Sequence, residues 1–61
     1  MELNEKLELN KKIRKYEGEN SFLISLKKNL ASKWCQKIEV NGRSYKVLSD
    51  KQYEAAKILF N

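Results

Sequence analysis

The chain has 61 residues with 13 Lys and Arg against 8 Asp and Glu, a formal net charge of +5, one cysteine and no histidine. That length allows one small domain, burying only roughly 60% of the surface its unfolded chain exposes. It excludes an internal disulfide, and with one thiol and no imidazole it leaves zinc without its usual ligands.

The first segment, Glu2 to about Tyr16, reads as a helix. It has no glycine or proline, its only β-branched residue is Ile13, and its acidic residues lead while basic ones trail, as the helix dipole favours. Glu2–Lys6 and Glu8–Lys12 stand at i,i+4 in the better orientation. Its apolar residues divide between two faces, Leu3 and Leu7 on one and Leu9, Ile13 and Tyr16 nearly opposite. A helix with two narrow apolar faces touches two neighbours. We therefore expect residues 1–17 to act as a charged arm or dimer contact through Leu3, Leu7, Leu9, Ile13 and Tyr16, with 18–61 forming the compact domain. Small folds need a staple, and a homodimer is the expected one here.

Glu17-Gly18-Glu19 ends this helix, with glycine as the expected C′ residue. Asn20 or Ser21 caps a second helix running to about Gln36. Phe22, Leu23, Leu26, Leu30 and Trp34 fall on about one third of its circumference, a stripe suited to face a core. Ile24, Ala31 and Cys35 form a lesser patch.

Asn41-Gly42 then separates two alternating runs and predicts a type I′ hairpin turn, in which both central residues take φ > 0. A two-residue loop pairs Val40 with Arg43, Ile38 with Tyr45 and Gln36 with Val47. Ile38, Val40, Tyr45 and Val47 share one side, and Lys37, Glu39, Ser44 and Lys46 the other. The hairpin is expected from about Lys37 to Leu48. Ser49-Asp50-Lys51-Gln52 fits a capping box opening a third helix, with Leu48 and Tyr53 as a hydrophobic staple. Ala55, Ala56, Leu59 and Phe60 cover one face of it. The expected fold class is α+β, a helix-helix-β-hairpin-helix module.

Charge is distributed unevenly. Residues 1–19 balance five acidic against five basic side chains, so the whole excess lies in 20–61. There Lys27, Lys28, Lys33, Lys37, Arg43, Lys46, Lys51 and Lys57 face only Glu39, Asp50 and Glu54. Such a surface suits a polyanion or an acidic protein surface as partner. The candidate nucleic-acid contacts are Arg43 beside the turn, Lys37, Lys46 and the aromatic Tyr45 on the strands, and Lys27, Lys28 and Lys33 on the middle helix. Against this, Tyr45 can pack on Ile38 in the core, and lysines also blunt a strand edge.

Catalysis is disfavoured. Without histidine the usual base near neutral pH is missing, Cys35 beside Trp34 reads as a small packed hydrophobe, and the two glycines form no phosphate loop. Accordingly no cofactor, metal or small-molecule substrate is expected. The charged N-terminal segment lacks the apolar core of a signal peptide. No run approaches the ~20 apolar residues of a membrane helix, and the lone thiol suits a reducing cytoplasm.

Phe22, Leu23, Ser25 and Leu26, followed by Leu48, Ser49, Lys51 and Gln52, resemble an F-L-x-S-L … L-S-x-K-Q helix pattern of small phage and plasmid proteins. The likeness covers about half the chain, with a full hairpin here where such proteins often have a short glycine-containing link. It implies a mobile-element origin, action in the host cytoplasm and a role in nucleic-acid transactions. The alternative is a phage-type inhibitor or adaptor that docks on a host or defence protein, using apolar residues of the first helix.

Overall fold

The computed structural model describes residues 2–60; Met1 and Asn61, at the outer ends of the expected 1–17 and 18–61 divisions, lie outside them. The elements run α1 (Leu3–Arg14), α2 (Ser21–Ala31), β1 (Lys37–Val40), β2 (Arg43–Lys46) and α3 (Asp50–Phe60). This is the expected α+β order.

Local chemistry accounts for most boundaries. The Asn20 side chain accepts a hydrogen bond from the Leu23 N–H at 3.1 Å and so starts α2. At α3 the capping box is formed: the Ser49 N–H donates to Gln52 Oε1 at 2.9 Å, and the Gln52 N–H donates to Ser49 Oγ at 3.3 Å. Asn41 at φ 53° and Gly42 at φ 78° make the I′ turn. The register is as expected, with Val40 opposite Arg43 and Ile38 opposite Tyr45. One further rung, from the Val47 N–H to the Gln36 carbonyl at 2.9 Å, extends the pairing.

The core is made by three helices and the exit of the hairpin. Leu9 and Ile13 of α1, Leu23, Leu26 and Leu30 of α2, Leu48, and Tyr53 and Ala56 of α3 form one buried cluster. Each fully buried aliphatic side chain in it contributes on the order of 1.5–3 kcal/mol. Residue 17 is therefore not a packing boundary. α1 lies against both α2 and α3, and its inner face is part of the same core. Lys6, expected to pair with Glu2, instead approaches Asp50 of α3 at 3.7 Å.

A polar clasp runs through this core. Asn10 is 1% exposed and Tyr53 fully buried. The Tyr53 hydroxyl donates to Asn10 Oδ1 at 2.9 Å and accepts from the Leu48 N–H at 2.9 Å. Asn10 Nδ2 in turn donates to the Lys46 carbonyl at 2.9 Å. These bonds tie α1, the end of β2 and the start of α3 together. Burial holds the Tyr53 phenol above its ordinary pKa, an effect its hydrogen bonds only partly offset.

Three expectations are corrected. α2 stops at Ala31 rather than near Gln36, because Ser32 takes an extended backbone and its Oγ accepts from the Trp34 N–H at 3.1 Å. Trp34 thus leaves the helical stripe and is 85% exposed, while Phe22 at the other end of the stripe is also exposed. Gly18 does not serve as a left-handed C′ residue; α1 ends at Arg14, with Lys15 still right-handed. Instead the missing Cβ admits the Tyr16 ring, which a side chain at 18 would strike. On α3 the buried positions are Tyr53 and Ala56, and Leu59 is exposed together with Ile58.

Candidate nucleic-acid interface

The hairpin joins the helical body chiefly at its base. There the Cys35 thiol donates to the Val47 carbonyl at 3.5 Å, and Lys46 Nζ donates to the Leu30 carbonyl at the end of α2 at 3.0 Å. Val47 is buried, but Ile38, Val40 and Tyr45 are only half-buried and lie outside the core cluster. Tyr45 therefore pairs with Ile38 across the strands without entering the core. Beyond that, Glu39, Asn41, Gly42, Arg43 and Ser44 are exposed, so the turn is presented to solvent.

The six cationic nucleic-acid candidates separate into two groups. Arg43 at the turn, Lys37 at the start of β1, Lys33 before it and Lys28 on α2 are exposed and make no hydrogen bond or salt bridge among the described residues. Lys46 and Lys27 are engaged: Lys46 as above, and Lys27 Nζ by donating to the Tyr16 carbonyl just past α1 at 2.9 Å. Each supplies a donor to a carbonyl at or near a helix C-terminus, a favourable place for a cation. Tyr45, the seventh candidate, is a half-buried residue of β2.

Sequence reasoning missed the side chain with the largest free aromatic surface. Trp34 stands in the link between α2 and β1, with Lys33 Nζ 5.4 Å from its ring centroid. A cation at that distance is within cation–π range. The Ser-x-Trp spacing at Ser32 carried the signal, since a serine hydroxyl that bonds two residues onward favours a turn over another helical turn.

Trp34 also lines an open cleft of about 270 Å³ between the link and the start of α3. Cys35, Val47 and Leu48 supply the buried and half-buried apolar part of its lining. Its polar lining is uncharged, from the Asn29, Gln36 and Gln52 amides and two serines. Among the described residues no three His, Cys, Asp or Glu side chains converge as a metal site, and no helix is long and apolar enough to cross a membrane.

The oligomer candidates also divide. Leu9 and Ile13 belong to the chain's own core, and Tyr16 packs against it, edge-on to Phe60 with ring centroids 6.3 Å apart. Those three side chains are occupied within one molecule. Leu3 and Leu7 are half-buried.

Comparison with protein-family models, with curated proteins and with solved structures finds no match to this chain.

Proposed function

We propose that this protein is a non-enzymatic nucleic-acid-binding accessory factor that contacts phosphates through its hairpin and the adjoining link. The observation that supports this reading is the set of unpartnered cations. Lys6–Asp50 is the one ion pair among the described residues, so Arg43, Lys37, Lys33 and Lys28 keep their charge uncompensated by any acidic side chain in contact. These cations occupy the turn, the base of the hairpin, the link and the neighbouring helix, and Trp34 adds a face on which a base can stack. A mobile-element origin accords with this role through the helix pattern of Phe22–Leu26 and Leu48–Gln52.

The test is fluorescence anisotropy of labelled single- and double-stranded oligonucleotides with wild type, Arg43→Ala and Lys37→Ala. Sub-micromolar binding at physiological salt, weakened by each substitution, is the expected result. Binding no tighter than about 10⁻⁴ M, the weak end of nonspecific association, and unchanged by the substitutions refutes it.

A second reading, an adaptor docked on an acidic protein, is favoured by exposed Ile58 and Leu59 on α3. It moves the expected apolar contact from α1, whose inner face is buried, to α3. In that case Ile58→Asp abolishes capture of the protein partner and oligonucleotides do not compete. Self-association retains Leu3 and Leu7 as its candidates on α1; sedimentation of wild type and Leu7→Glu tests it.

A further inference from the structure

The geometry points to the cleft beside Trp34 as a site for one unpaired nucleobase, so that the protein recognises single strands rather than duplexes. This inference rests on the nucleic-acid reading above and specifies its ligand.

The cleft's size limits the occupant. At about 270 Å³ it lies just below the roughly 300–1,000 Å³ of sites for drug-sized ligands, and suits a single planar ring system. Its chemistry limits the occupant further. No Lys, Arg, Asp or Glu lines it, so nothing inside compensates an ionised group. Val47 and Leu48 in its lining are buried and apolar, which suits the face or edge of a ring rather than a phosphate or sugar.

Hydrogen-bonding capacity is nevertheless available. The Asn29 and Gln36 side chains are exposed and make no hydrogen bond within the described chain. Gln52 has its Oε1 committed to the Ser49 N–H and hydroxyl, which leaves its amide N–H groups free. Free amides offer both donors and acceptors, the combination that reads the edge of a base. Trp34 then supplies the aromatic plane. Lys33, whose ammonium lies over the indole, does not itself line the cleft.

Charge is found around the cleft and not in it. Lys33 precedes Trp34 and Lys37 follows Gln36, and both are exposed. The arrangement is therefore an uncharged, hydrogen-bonding recess with cations next to its lining residues in the link. It matches a neutral base carried on an anionic backbone. In a duplex the Watson–Crick edge is paired and both faces are stacked, so an unpaired strand is what offers that edge and a free face together.

The chain's one tryptophan makes the test direct, because all indole emission comes from Trp34. Wild type is titrated with a single-stranded oligonucleotide, the corresponding duplex, an abasic strand with the same phosphates, and a nucleoside monophosphate. Binding is read by anisotropy or by competition, and stacking by quenching of Trp34. The expected result is quenching by the single strand and binding about tenfold or more weaker for the abasic strand, as loss of one base–aromatic stack implies. Trp34→Ala and the Asn29→Ala/Gln36→Ala double variant, all at exposed positions, weaken single-strand binding and leave abasic-strand binding unchanged.

Equal binding of natural and abasic strands, or duplex preference with Trp34 emission unchanged, overturns the base site while leaving phosphate binding by the hairpin intact. Quenching by the mononucleotide at the affinity of the strand overturns it in favour of a small-molecule site. Absence of binding to every oligonucleotide removes the nucleic-acid reading itself.

Discussion

Replacing Tyr53 by phenylalanine removes one oxygen from a fully buried position and breaks two hydrogen bonds at once. The ring still fills its space, so no cavity term enters. The Leu48 N–H loses its acceptor, and Asn10 Oδ1 loses its donor, both at residues no more than 7% exposed. A typical intramolecular bond contributes about 1 kcal/mol net, but where one partner is removed the cost is that of the buried group left unsatisfied, about 1–3 kcal/mol for each of the two. Partial access of water to Leu48 trims this, and we expect a loss of about 2–4 kcal/mol. A chain of this length has total stability of only about 3–9 kcal/mol. The variant should therefore melt about 15–30 °C lower, or lack a cooperative transition altogether. Urea denaturation followed by circular dichroism measures the loss. Asn10→Leu should also destabilise, and the double variant should lose less than the sum of the singles, since its two partners are removed together. A Tyr53→Phe loss under about 0.5 kcal/mol, or strict additivity, would refute the account of the clasp as a coupled network.

The same phenol gives a pH dependence. Its folded pKa is raised by burial, so its contribution is fully present below the ordinary phenol value and is lost as pH rises through the folded value. Urea midpoints between pH 8 and about 11 should fall in wild type, with less of that fall in Tyr53→Phe. Gly18→Ala places a methyl against the Tyr16 ring, displacing the bond from the Asn20 N–H to Tyr16 Oη and the edge contact with Phe60; a loss of about 1–2 kcal/mol is expected in the same assay. At Gly42, where φ is +78° and the surrounding space is open, Gly42→Ala should lose about 1 kcal/mol from backbone strain alone. Ser49→Ala removes half of the capping box at α3, for about 0.5–2 kcal/mol.

Features set by neighbouring residues are legible in the sequence. The Asn-Gly turn fixes the register, and Ser49 with Gln52 fixes the start of α3, because the bonds concerned span three residues or fewer. Features that depend on long separations are not. Asn10 reads as a surface residue on a polar helix, and its burial is made favourable by the Lys46 carbonyl and the Tyr53 hydroxyl, 36 and 43 positions later. The two apolar faces of α1 suggest a partner chain, whereas α2 and α3 cover Leu9 and Ile13. Helical periodicity assigns Trp34 to the core because a stripe contains no sign of where the helix stops. Ser32 holds that sign, in a side-chain bond that competes with one more helical turn. The cleft draws residues from α2, the link, the exit of β2 and α3, and no single segment foretells it.

The two lysines anchored on carbonyls at the ends of α1 and α2 bear on how strongly salt should weaken the nucleic-acid binding proposed above. Binding that releases counterions falls with salt at a logarithmic slope of about −0.7 per neutralised phosphate on a single strand. Counting all six candidate cations gives a slope of about −4. With Lys27 and Lys46 held by the protein's own backbone, only Lys28, Lys33, Lys37 and Arg43 can close on phosphates, and the slope becomes about −3. If the proposed nucleic-acid binding holds, the anchored pair would still add to the attractive field within a Debye length, and so would assist the approach of a strand rather than the grip on it. A strand that recruited either ammonium would have to uncap a helix, which links the tightness of binding to the integrity of the fold.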